Sequence, residues 1–401
     1  MPDEQLFFVR DRNLGFPVFD VDNHMYENTD ALTKFLPARY KGLIKYIGEG
    51  DRTRIAIKDR IDRAVPNPTF QRVAPPGGKD TDPLQRRSIA GSDAFYDVEP
   101  RYKLMQEFGI NRALMWPTLG SVLEQALPED PLALAVAMHA LNEWMLEHWT
   151  FGYENAVFPA PMIALADLRK AVEELQWVAE RGAKIVYLSS APASGFGGRR
   201  SIALGEFDPF WDLMEETGIV AGFHQVVNRR YPVDLLDLDG SPEAGGYFAP
   251  PGFGQGTPGA EAFRALCTPR WQISDFLASM IGHGCLLRHP HLKVAVVEFF
   301  TDWIRPMLQQ FQHAYERAPQ LFDEDPMDAL RRNVFIHVFH DRDPIELISM
   351  LGVANSMWGS DFPHPEGLRD PLAFSEDITD MAVEDRKAVM GGNLARLMGV
   401  D

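Results

Sequence analysis

Short apolar runs alternate along this chain with longer stretches in which apolar residues recur every three or four positions. Residues 17–21 (PVFDV), 111–116 (NRALMW), 156–165 (AVFPAPMIAL), 184–189 (KIVYLS), 219–224 (IVAGFH), 291–299 (HLKVAVVEF), 334–339 (VFIHVF) and 356–361 (SMWGSD) read as strands. Most are nearly continuous apolar runs, the pattern of strands buried on both faces. The three-and-four spacing predicts helices over 130–149, 168–182, 207–217, 271–288, 302–316 and 343–351, and two more near 371–378 and 383–398. Asp130-Pro131 supplies an N-cap followed by a first-turn proline, and Asp208-Pro209 repeats the signal.

Eight strands, most followed by a helix, fit a closed parallel (β/α)8 barrel of the TIM type better than an open doubly wound sheet, the alternative of the same α/β class. Two segments break the alternation. Residues 25–100 hold a candidate hairpin at 42–60 and a Pro/Gly-rich stretch at 64–83, and residues 225–262 carry GGYFAPPGFGQGTPG. These insertions follow strands 1 and 5 and leave the C-terminal face of a barrel, where active sites form. They read as cap or lid segments, with a dimer contact as the alternative, on a single domain covering residues 1–401.

Placing the ionisable residues on these strands suggests a site. Asp22 and His24 fall just past strand 1, two positions apart and so on the same side of extended chain. His224 ends strand 5, Glu298 lies near the end of strand 6, His340 follows strand 7 and Asp361 ends strand 8. In a barrel these ends share one rim. Imidazoles and carboxylates with coordination positions left open suit a catalytic divalent ion such as zinc, manganese or iron. The remaining histidines, His139, His148, His283, His289, His291, His313 and His337, read as packing or surface residues. Arg229 and Arg230 are candidates for gripping a substrate carboxylate, and Trp303 and Trp358 for lining an apolar pocket.

Charge narrows the partners. With 39 Lys+Arg against 57 Asp+Glu and a formal net charge of −18, the chain shows no basic run, which argues against nucleic acid and anionic membranes. Cys267 and Cys285 form no CxxC pair, so a zinc ribbon is not expected. The N-terminal residues lack a basic region before an apolar stretch, and no run of about 18 apolar residues appears, so a cytoplasmic protein is expected.

The segments FDVDNHMYE (19–27), RYKLMQEFGINRALMWPT (101–118), FDPFWDLMEETGIVAGFH (207–224), LLRHPHLKVAVVE (286–298), WGSDFPHPEG (358–367) and VMGGNLARLMGV (389–400) resemble the amidohydrolase superfamily, in the branch of aminocarboxymuconate-semialdehyde decarboxylase. The resemblance implies a distorted (β/α)8 barrel and one divalent metal. It carries the metal ligands onto Asp22, His24, His224 and Asp361, with Asp361 also a proton carrier. Two positions depart from the pattern: an acid, Asp22, replaces the first histidine of His-x-His, and Glu298 replaces a strand-6 histidine. Lys184, at the start of strand 4, sits at the wrong end to bridge two metals.

Three functions follow as expectations. The first is a hydrolase of a small amide, ester or lactone, with Asp361 or Glu298 as base and His340 or His364 polarising the carbonyl or protonating the leaving group. The second is a metal-dependent decarboxylase of an aromatic or enolic acid. The third is a binding barrel without catalysis. A homodimer is common among similar proteins.

Overall fold

In a computed structural model of the chain, the described residues are 12–28, 30–49, 52–62, 68–76, 89–195, 197–225, 270–338 and 343–400. The barrel strands are β1 (Phe19–Met25), β2 (Arg112–Pro117), β3 (Val157–Pro159), β4 (Ile185–Leu188), β5 (Val220–His224), β6 (Val294–Val297), β7 (Val334–His337) and β8 (Ser356–Met357). They form two parallel ladders, β1-β2-β3 and β4-β5-β6-β7-β8. Single parallel bridges join the ladders at both seams. Met162 pairs with Tyr187 beyond β3, and Asn23 on β1 pairs with Phe362 beyond β8. The second seam is also held by Val21 N–H donating to Trp358 O at 3.1 Å and Asp361 N–H donating to Asp22 O at 2.8 Å. The expected (β/α)8 barrel is therefore present, with short strands whose ladders pass into bridges at these two places.

Large and small residues interlock inside the ring. Trp116 on β2 is fully buried and donates its indole N–H to Val21 O at 2.8 Å. A Cβ on Gly222 of β5 would come within 2.5 Å of the Trp116 ring, so only glycine fits there.

The helices mostly lie where the spacing put them. Asp130 accepts from Ala133 N–H at 3.1 Å and opens the helix Pro131–Trp149, as its sequence foretells. The expected helix 271–288 is instead two, Arg270–Gly282 and Cys285–Arg288, divided where Gly284 takes φ 69°. The final helix is interrupted by a wider turn at Ala388–Gly392, where a Cβ on Gly391 would lie 2.6 Å from Phe19 N. Helices at Val98–Phe108 and Pro326–Asn333 were not read from the spacing.

Within the first insertion, the expected hairpin is a three-stranded antiparallel sheet of Ile44–Glu49, Arg52–Ile57 and Arg60–Asp62. Arg72–Val73 pairs with Ile89–Ala90. The insertion meets the barrel rim where Phe70 stacks on Tyr26, just past β1, with ring centroids 4.4 Å apart. Most of the second insertion, 226–262, lies outside the described residues.

Candidate metal centre

The C-terminal rim is built on β1. Its register against β2 shifts between Asp20 and Asn23, a bulge of the kind that re-aims side chains. Asp22 and His24 are both buried and converge with residues from three other strand ends. Asp22 Oδ1 lies 3.3 Å from His24 Nε2 and 3.1 Å from His224 Nε2. His224 Nε2 is also 3.2 Å from Glu298 Oε2, and His24 Nε2 is 3.4 Å from Asp361 Oδ1. The register of β5 on β6 sets His224 beside Val297, one residue before Glu298.

The protons of these rings follow from their outer partners. His224 Nδ1 lies 3.0 Å from Gln225 O, a carbonyl that can only accept, so Nδ1 carries the proton. Its Nε2 faces the carboxylates of Asp22 and Glu298. For His24, burial and then the neighbouring His364 push the pKa well below its ordinary value, which favours the neutral ring. Neutral imidazole nitrogens aimed at carboxylate oxygens repel unless a cation lies between them. Asp22, His24, His224 and Glu298 offer donor atoms all within 4.8 Å of one another, as do His24, Asp361 and His364. The buried cluster is able to hold one divalent metal ion.

Behind the donors lies a network that sequence reasoning missed. Asp20, fully buried, accepts from the backbone N–H groups of Asp22 at 3.0 Å and Ser360 at 2.9 Å, and from Asn23 Nδ2 at 2.8 Å and Ser360 Oγ at 2.5 Å. It thus ties β1, two residues before Asp22, to Ser360 beyond β8, one residue before Asp361. Burial raises its pKa to about 7 against these hydrogen bonds. Arg101, also fully buried, donates to Asn23 Oδ1 and to His24 O. Burial lowers its pKa to about 9.

Backbone strain collects at the same rim. Glu298 at φ 64° and Asp361 at φ 56° hold a left-handed conformation that costs a non-glycine residue roughly 1–2 kcal/mol. Close approach explains part of the GSDFPHPEG motif. A Cβ on Gly359 would lie 2.4 Å from Asp22 Cβ, and one on Gly367 would lie 2.3 Å from Asp361 O.

The other predicted residues divide. Glu298 and His364 join the cluster, with His364 Nδ1 2.9 Å from Asp361 Oδ1. Burial lowers the His364 pKa. His340, Arg229 and Arg230 lie outside the described residues. Trp303 and Trp358 are fully buried in the hydrophobic core, where Trp303 donates to Phe300 O at 3.0 Å, so packing rather than a pocket wall accounts for them here. The structure corrects the reading of His337 as a packing or surface residue. Glu298 N–H donates to its Nδ1 at 3.3 Å, and that nitrogen lies 3.4 Å from Asp22 Oδ2. Its inward place at the last position of β7 was the available signal. Lys184 precedes β4, at the end away from the cluster. Cys285 is a buried free thiol whose pKa burial raises to about 12.

A parallel barrel with histidines and carboxylates gathered at its C-terminal rim defines a metal-dependent barrel of the amidohydrolase type. The Amidohydrolase family model matches residues 20–400, and the chain belongs to that family. The crystal structure of an amidohydrolase from Mycobacterium avium subsp. paratuberculosis K-10 is similar at 31% identity and a TM-score of 0.86, covering 96% of this chain and 99% of that one. A 2,6-dihydroxybenzoate decarboxylase from Rhizobium shares the fold at 16% identity and a TM-score of 0.59, with 96% and 99% of the two chains covered. So does a dihydroxybenzoic acid decarboxylase from Polaromonas sp. JS666, with bound manganese and 2-nitroresorcinol, at 13% identity and a TM-score of 0.60, covering 96% and 97%. No curated protein matches the chain. Among the described residues no helix is long and apolar enough to cross a membrane.

Proposed function

We propose that this chain is a metal-dependent hydrolase of a small organic carbonyl compound, with Asp22, His24, His224 and Asp361 holding the ion. One observation carries the reading of hydrolysis. Glu298 stands where similar decarboxylases place a proton-transferring histidine, and its Oε2 lies 3.2 Å from His224 Nε2. A carboxylate there can take a proton from water. When bound, a divalent ion lowers the pKa of water and polarises a carbonyl. Glu298 accepts the proton, and its left-handed backbone, with the N–H held on His337 Nδ1, aims the side chain at the cluster. His364 stacks on His24 with centroids 3.8 Å apart and stands at the edge of the site to protonate the leaving group. Asp20 and Arg101 hold the backbone of Asp22 and His24 and the side chain of Asn23 in place. The insertion sheet at 44–62 serves as a cap on a single barrel domain.

The second reading is a carboxy-lyase. It is favoured by the structural neighbours, among them 2,6-dihydroxybenzoate decarboxylase, which share the fold at 16% identity or less. One experiment separates the two. The manganese-loaded protein is incubated with a panel of amides, lactones and hydroxybenzoates in ¹⁸O-water. Label entering a product carboxylate supports hydrolysis. Release of CO2 with no label uptake overturns it in favour of the lyase. Turnover of the same panel by Glu298→Gln at the wild-type rate would remove Glu298 from the mechanism.

A further inference from the structure

The register of β1 on β2 sets Met25 opposite Pro117, so the residue after β2, Thr118, stands at the rim beside His24 and Met25. Two contacts fix it there. The next two backbone N–H groups, of Leu119 and Gly120, donate to the buried carboxylate of Glu27 at 2.7 and 2.9 Å. The Thr118 hydroxyl itself donates to Met25 O at 3.0 Å. A carbonyl can only accept, so the one hydroxyl hydrogen is committed to it, and the Thr118 oxygen can only accept from its other neighbours. Two imidazoles meet that oxygen, His24 Nδ1 at 3.4 Å and His364 Nε2 at 3.2 Å. Both rings must therefore donate to it.

Ring stacking alone does not select these nitrogens. His364 lies between His24, with centroids 3.8 Å apart, and Tyr26, with centroids 5.8 Å apart, and both planes are 30° from its own. Stacking holds the plane of a ring but is nearly indifferent to which of its nitrogens bears hydrogen, a choice made by the directional partner of one of them. Thr118 is that partner for both rings. With the hydrogen of His24 on Nδ1, its Nε2 is the nitrogen turned to Asp22 Oδ1 at 3.3 Å and Asp361 Oδ1 at 3.4 Å. With a hydrogen of His364 on Nε2, its Nδ1 is left to take and give a proton, 2.9 Å from Asp361 Oδ1.

We infer that Thr118 is a positioning residue for the proposed reaction, its single hydroxyl fixing which nitrogen His24 turns to the cation and which nitrogen His364 turns to Asp361. The metal ligand and the proton donor are thereby set in register by one oxygen that touches neither the ion nor the substrate. Outer partners of a ligating histidine act in this way, by holding the ring and its tautomer.

The inference rests on the metal-dependent reading above. The full-length protein is labelled with ¹⁵N-histidine and loaded with Zn²⁺, and long-range ¹H–¹⁵N correlations report which ring nitrogens carry hydrogen. Mn²⁺ affinity is measured beside it by competition with a chelator. We expect hydrogen on His24 Nδ1 and on His364 Nε2. Thr118→Val keeps the shape of the side chain but removes the acceptor, so His364 should turn its hydrogen to Nδ1 and Asp361, and Mn²⁺ affinity should weaken roughly 10–100-fold. Thr118→Ser keeps the hydroxyl and should keep both ring states and near wild-type affinity. A bare His24 Nδ1 or a bare His364 Nε2 in the metal-loaded wild type overturns the inference while the metal-dependent reading stands. So does a Thr118→Val protein with unchanged ring states and affinity. Equal weakening in Thr118→Ser would assign the effect to the lost methyl and overturn it as well. A wild type that binds neither ion overturns the metal-dependent reading and the inference with it.

Discussion

Two clusters of histidine and carboxylate lie at opposite ends of this barrel, and their differences show what a metal centre requires. In the turn leading to β6, at the N-terminal end, His289 lies 3.2 Å from Asp208, 3.4 Å from Asp212 and 3.8 Å from Glu215. The residue types match those at the C-terminal rim. Yet Arg288 already grips Asp208, with Nη2 at 2.8 Å, and the Asp212 side chain is 72% exposed. Both nitrogens of His289 face carboxylates, so the ring has no outward acceptor that leaves a lone pair aimed inward. At the rim, His224 gives its Nδ1 proton to a carbonyl and the carboxylates of Asp22 and Asp361 are fully buried. Composition is the same at the two ends. Burial and the destination of the second ring nitrogen separate a surface ion-pair network from a cation site.

The largest effect should come from breaking the rim. His224→Ala and Asp361→Ala are expected to lose nearly all bound metal, while His289→Ala keeps the wild-type content, as read by elemental analysis of purified protein. Metal retained in both rim variants would erase the distinction between the two ends.

The next effect is one of pH, and the two ends should respond with opposite sign. Glu27, fully buried just past β1, accepts from Leu119 N–H at 2.7 Å and Gly120 N–H at 2.9 Å, and burial raises its pKa from 4.5 to about 7. Between those values the folded chain holds a proton that the unfolded chain has lost. Stability from this group therefore falls as pH rises from about 4.5 to 7, by up to about 3 kcal/mol. Asp208 is the reverse case. Its hydrogen bond from Arg288 outweighs burial and lowers its pKa, so its contribution is present above the unfolded pKa and lost as pH falls through the folded one. Denaturant titrations of Glu27→Gln should show a flatter stability curve between pH 5 and 8 and a gain over wild type at pH 8. An unchanged slope would mean that Glu27 is ionised in the folded protein at neutral pH.

Much of the rim was legible in the sequence because strand ends in a parallel barrel meet at one place. Asp22, His24, His224, Glu298 and Asp361 each follow an apolar run, and no other information is needed to bring them to a common rim. Asp20 was not legible. It lies within the first apolar run, and only the pairing of β1 with the chain after β8 reveals four donors around its carboxylate. His337 is of the same kind, since its part depends on which neighbour faces it across the barrel. The helix break at Gly284 was hidden because a glycine inside a periodic apolar stretch is compatible with either outcome.

Asp20 offers a finer test, because it touches none of the proposed ligand atoms. Asp20→Asn keeps the volume but replaces one acceptor oxygen with a donor that meets Asn23 Nδ2 or Ser360. Outer partners of this kind typically account for a 10–100-fold change in metal affinity. Mn²⁺ affinity, measured by competition with a chelator, should weaken by about that factor while far-UV circular dichroism stays as in wild type. Restoration by Asp20→Glu is not expected, since the four donors leave no room for a longer arm. Unchanged affinity would place the orientation of Asp22 in Arg101 and the barrel seam instead.

The smallest effect belongs to the N-terminal cluster. Arg288→Ala removes the fork on Asp208 and two hydrogen bonds, to His283 O at 2.7 Å and Ala203 O at 3.0 Å. The side chain is 34% exposed, so water replaces much of what is lost, and the destabilisation should be about 1 kcal/mol or less in chemical denaturation. Metal content should not change. The variant also tests the comparison from the other side. Removing Arg288 leaves His289 beside Asp208 without its competing cation, and if that alone made a metal site, zinc binding would appear at this end. It should not, because both nitrogens of His289 still face carboxylates and Asp212 remains in water.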